Sequence, residues 1–98
     1  MRELFRIKSI THSGRKGIRG DPVTDPKYED IIGSIAVFDP NKSQQFKPMR
    51  FTFYDNRLYD WWTTSETLAL GWQDEKTLIL ETVNTIYEFE KVENERSD

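Results

Sequence analysis

Two stretches of this sequence hold residue types from which chemistry can be built. The first is His12 to Gly20, HSGRKGIRG, where glycines recur every three residues with Arg15, Lys16 and Arg19 between them. Backbone N–H groups freed by glycine, flanked by cationic side chains, suit a phosphate. The order is not the GxxxxGK[ST] of a phosphate-binding loop, and the stretch follows a strand without opening a helix, so nucleotide hydrolysis is not expected. The second is aromatic: Tyr54, Tyr59, Trp61 and Trp62, with Trp72 further on. Such rings anchor interfaces or stack on bases and ligands. Adjacent Trp61 and Trp62 cannot both face the core from one strand, so one is expected at the surface unless a loop covers it. The competing arrangement puts Trp61 and Trp72 in the core and Trp62 beneath the long loop.

Catalysis finds little support. The single His12 adjoins Ser13, but a base and a hydroxyl adjacent in sequence are not a triad, and nothing marks an orienting carboxylate. One His and no Cys leave no ordinary transition-metal site, so no metal or cofactor is expected. Asp21, Asp25, Glu29 and Asp30 lack the spacing and central Gly of a calcium loop. Arg19-Gly20-Asp21 and the sequon Asn41-Lys42-Ser43 read as chance in a chain with no secretory signature, since MRELFRIKS interleaves charge with apolar residues.

The elements that must position these groups read mainly as strands. Thr77 to Val92, TLILETVNTIYEFEKV, is a hairpin turning near Asn84. In its second arm Tyr87 and Phe89 point inward, and Ile86, Glu88 and Glu90 point outward. In the first arm Leu78, Ile79 and Leu80 are apolar on both faces, as for a strand covered on each side. Leu4 to Ile10 is a strand with Phe5 and Ile7 inward and Leu4, Arg6, Lys8 and Ile10 on the other parity. A long loop, THSGRKGIRGDPVTDPKYED, follows, too rich in Gly and Pro for regular structure. Ile31 to Phe38 is a central apolar strand with Gly33 at a bulge. Met49 to Tyr54 alternates cleanly, with Met49, Phe51 and Phe53 on one face. Leu58 to Thr64 and Thr67 to Gln73 read as two further short strands, and QDEK turns the chain into the hairpin.

Ninety-eight residues with net charge −3 make one domain, 1–92, ending in a frayed acidic tail, 93–98. Residues 1–27 hold seven Lys or Arg against three Asp or Glu, residues 55–98 hold four against eleven, and the middle balances at zero. A bipolar surface is therefore expected. No apolar run approaches the roughly 20 residues that span a bilayer, so a soluble, cytoplasmic protein is expected.

Five to seven short antiparallel strands with one long early loop imply an all-β small barrel or roll. The order, a strand, a long loop, then strands on short turns, is similar in architecture to an SH3-like barrel, although no ALYDY-like segment follows the first strand. The leading functional expectation is a non-enzymatic interaction module. It would bind a protein or peptide through the loop (Arg15, Lys16, Arg19) and the patch of Tyr59, Trp61 and Trp62. The alternative is nucleic-acid binding, with the three cations on phosphates and Tyr59 or Trp62 stacked on bases. A homodimer through the aromatic patch is a third reading.

Overall fold

The computed structural model describes residues 2–93. Residues 94–98 of the expected tail lie outside the described residues. Half-buried β-branched and aromatic alternation produces six strands: β1 (Glu3–His12), β2 (Ile35–Phe38), β3 (Pro48–Phe53), β4 (Trp61–Trp72), β5 (Thr77–Thr82) and β6 (Thr85–Lys91). Each pairs antiparallel with its sequence neighbour, and β6 pairs back onto β1, so the strands close into a ring. The interior is aromatic. Phe5 stacks on Phe38 at 4.5 Å between ring centres, and Phe89 meets Phe38 edge-on at 5.1 Å and Phe51 at 5.9 Å. Among the described residues no helix is long and apolar enough to cross a membrane.

The hairpin forms as its alternation requires. Leu78, Leu80, Tyr87 and Phe89 are buried, and the turn falls at Val83-Asn84. The Thr82 hydroxyl closes it from inside, accepting the Thr85 N–H at 3.0 Å and donating to the Thr85 carbonyl at 2.8 Å. Ile79 is not covered on its outer side as expected. The sheet is one layer closed on itself, so Ile79 stays half-buried between its strand neighbours.

Three other expectations need correction. Ile10 is buried, because a bulge between Ile7 and Ser9 inserts one residue and flips the inside-outside phase of β1. Only Ile35–Phe38 of the expected 31–38 strand is strand. Gly33, at φ 91°, reverses the chain and donates its N–H to the Ile7 carbonyl at 2.8 Å, while Ile31 is buried from within the turn. The two strands expected at 58–64 and 67–73 are one strand, β4, with Leu58 to Asp60 left in the preceding loop. Register shifts opposite Pro48–Arg50 and at Thr67–Ala69 let its first half pair with β3 and its second with β5. The long loop also holds one turn of helix, α1 (Pro26–Glu29). Asp25 caps it by accepting the Lys27 N–H, and Pro26 supplies a preset φ at its start.

Candidate functional site

One end of the ring collects the long loop, the 54–60 connection and the β5–β6 turn. The loop folds back on β1 instead of extending into solvent. His12 donates its N–H to the Asp21 carbonyl and accepts from the Gly20 N–H, both at 2.9 Å, and Val23 donates to the Ile10 carbonyl at 3.1 Å. Gly17 lies on the imidazole of His12 so closely that an added Cβ would stand 2.6 Å from ring atoms. Val23 and Ile31 carry the loop into the core.

The three loop cations separate. Arg19 is committed: its guanidinium forks onto the Glu81 carboxylate at 2.9 and 3.2 Å and also donates to the Ser13 carbonyl. That hydrogen-bonded pair raises the Arg19 pKa and lowers that of Glu81. Arg15 is exposed. Lys16 lines a cleft of about 370 Å³ with His12, Asp25, Tyr28 and Asn84. In that cleft His12 Nδ1 is shielded and has no hydrogen-bond partner among the described residues. The Ser13 hydroxyl donates to the Val83 carbonyl at 2.6 Å, so its proton is directed at the turn and not at His12.

The tryptophan pair divides by register. Trp62 sits opposite Phe51, whose side chain is buried, so Trp62 faces inward and Trp61, beside Thr52, faces out. The Trp62 indole meets Tyr28 of α1 at 5.3 Å and Tyr59 at 5.6 Å, both edge-on, and its N–H donates to the Tyr87 hydroxyl at 3.1 Å. Trp62 thus packs beneath the long loop, and Trp61 is not core: it is 51% exposed, with the Arg50 guanidinium 4.2 Å from its ring centre. Trp72 is 47% exposed and reaches Phe5 at 5.9 Å near the opposite end of the ring.

Burial pushes the Tyr87 phenol up to about 12 from an ordinary 10, and burial also raises Tyr28, with Asp25 adding to the effect. The fold holds the neutral phenol, so this contribution is complete below the unfolded value and is lost as pH rises through the folded one. Between about pH 10 and 12 the protein is expected to lose roughly 1.4 kcal/mol per pH unit through Tyr87. Denaturant midpoints measured across that window should fall less steeply in Tyr87→Phe, and equal slopes would remove Tyr87 as the cause.

Reading the sequence missed the residues that fix the outer part of this end. Asn56 donates its amide N–H groups to the Asp30 carbonyl at 3.1 Å and the Ser34 hydroxyl at 2.8 Å. Its Oδ1 accepts from the N–H of Leu58 at 2.7 Å and of Tyr59 at 2.9 Å. Asp55 accepts the Ile35 N–H at 3.0 Å. The connection so pinned leaves Tyr54 and Leu58 71% and 68% exposed, and it leads into Trp61 at the start of β4. Asp55-Asn56-Arg57 reads as a turn in the sequence, but the across-loop partners of Asn56 have no local signature. Among the described residues no group of three or more His, Asp or Glu side chains could hold a metal ion. Comparison with family models, curated proteins and solved structures finds no match.

Proposed function

We propose that this protein is a small non-enzymatic interaction module, an SH3-like barrel in architecture, that acts in the cytoplasm. It binds a protein or peptide partner through the face made by the 54–60 connection and Trp61. One observation carries the reading: Tyr54, Leu58 and Trp61 remain exposed while the backbone beneath them is held by Asn56 and Asp55. Three large apolar side chains exposed within eight residues of sequence suit an interaction surface, and a rigid support reduces the ordering cost of binding. The non-enzymatic part rests on Ser13, whose hydroxyl is directed away from the only histidine. Of the residues first expected to form the patch, Tyr59 and Trp62 support the face from below.

The nucleic-acid alternative through Arg15, Lys16 and Arg19 has less support, because Arg19 is spent on Glu81 and two exposed cations remain in an acidic chain. A double variant, Tyr54→Ser with Leu58→Ser, is expected to keep the wild-type denaturation midpoint and to lose at least about tenfold in affinity for a captured protein partner. Unchanged capture would overturn the reading. Self-association that disappears in the variant, seen by sedimentation over a concentration series, would assign the face to a homodimer.

A further inference from the structure

The fold cancels much of the charge asymmetry of the linear sequence. Basic residues of the first segment meet acidic residues of the last: β6 pairs with β1 and sets Lys8 3.8 Å from Glu90, and the loop after β1 brings Arg19 onto Glu81 of β5. A second concentration of cations draws mainly on the middle of the chain, where residues 28–54 look neutral by count. There β2 pairs with β3 only through Ala36 with Phe53 and Val37 with Thr52. Past Val37 the two strands part. The 39–47 connection swings away and bonds to β4, Phe46 donating to the Thr67 carbonyl at 2.7 Å and Thr67 to that of Lys47 at 2.9 Å.

A cleft of about 400 Å³ opens in the gap, and Arg2, Lys42, Lys47 and Arg50 all line it against a single carboxylate, Asp39. The two arginines are each held by a neighbour beside the cleft. Arg2 donates to the Thr52 hydroxyl at 2.9 Å, and Arg50 lies over the Trp61 ring at 4.2 Å.

We infer that this cleft binds a small, multiply charged phosphate ligand, of which a triphosphate group is the type. Four cations around one carboxylate select for an anion carrying several charges. Arginine forks match phosphate oxygens, and lysines add point charge without demanding geometry. The volume suits a small molecule. Position favours a compact anion over a long one: β2 and β3 lie across the ring from β5 and β6, whose outer faces carry Glu81, Glu88 and Glu90. A nucleic-acid strand laid around the molecule would meet those carboxylates, whereas an anion confined to the cleft does not. The site borders the protein-binding face at Trp61, on whose ring Arg50 lies, but it is argued from the cleft alone and does not depend on the protein-binding reading.

The test is calorimetric titration of the full chain with inorganic triphosphate and, in parallel, adenosine triphosphate, in metal-free buffer at low salt. One saturable site is expected, weakening as salt is raised. Lys47→Ala with Arg50→Ala should lower affinity by about tenfold or more, from the loss of two charge-assisted contacts. Arg15→Ala with Lys16→Ala should leave it unchanged. Lys42→Ala with Lys47→Ala, both on the exposed connection, should weaken binding in the same direction should the Arg50 substitution disturb β3. Tighter binding of the nucleotide than of inorganic triphosphate, with a change in tryptophan emission, would support the assignment and put the base on Trp61. Equal binding would support a site for phosphate alone. No saturable binding up to about 1 mM would overturn it. So would equal loss in the loop variant, or binding only of a single-stranded oligonucleotide.

Discussion

Replacing Trp62 with alanine is expected to remove about 3–5 kcal/mol of folding stability, read as a lower denaturation midpoint at unchanged slope. The side chain joins three parts of the chain: Tyr28 of α1 and Tyr59 of the 54–60 connection close on its ring, and its N–H is donated to Tyr87 inside the sheet. Alanine leaves a void among those rings and removes a donor from a deeply buried hydroxyl, two costs that add. Trp62→Phe separates them, since it keeps most of the packing and loses the hydrogen bond, and about 1 kcal/mol is expected. Trp61→Ala should cost no more than about 1 kcal/mol, because a cation–π contact at an exposed site is worth little. Equal losses at the two positions would contradict the register that separates them.

That contrast also marks how far the sequence could be read. The alternation of β3 and β6 is legible because one face of each enters the core without interruption: Met49 and Phe51, Tyr87 and Phe89. It fails wherever a residue is inserted. The bulge after Ile7 buries Ile10, and the register shifts in β4 join two expected strands into one, because a bulge is set by the partner strand and leaves no period of its own. Which tryptophan turns inward depended on the pairing of Trp62 with Phe51, eleven residues away. The glycine-rich loop was legible as a place but not in its detail. Arg19 belongs to Glu81, a partner more than sixty residues distant. The cationic cleft was hidden altogether, since Arg2, Lys42, Lys47 and Arg50 are brought together only by the parting of β2 from β3.

Asn56→Ala is expected to cost about 2–4 kcal/mol, from four hydrogen bonds each worth roughly 0.5–1.5 kcal/mol net. No other side chain ties the 54–60 connection to the end of the long loop by so many described bonds: it reaches Asp30 and Ser34 with its donors while its oxygen caps Leu58 and Tyr59. Backbone hydrogen exchange should therefore quicken at Leu58 and Tyr59, whose N–H groups lose their acceptor, while β5 and β6 retain protection apart from the global loss. Asn56→Asp divides the four bonds. It keeps the oxygen for Leu58 and Tyr59 but sets a second acceptor against the Asp30 carbonyl, and an intermediate cost of about 1–2 kcal/mol is expected, with exchange at Leu58 and Tyr59 near wild type. If the rigid presentation of Tyr54 and Leu58 is what a partner reads, Asn56→Ala should weaken partner binding without touching a contact residue, and Asn56→Asp should weaken it less. Partner affinity unchanged in Asn56→Ala, with exchange at Leu58 and Tyr59 accelerated, would mean that the partner orders the connection itself, and the face would then be recognised by its apolar groups and not by its preset shape.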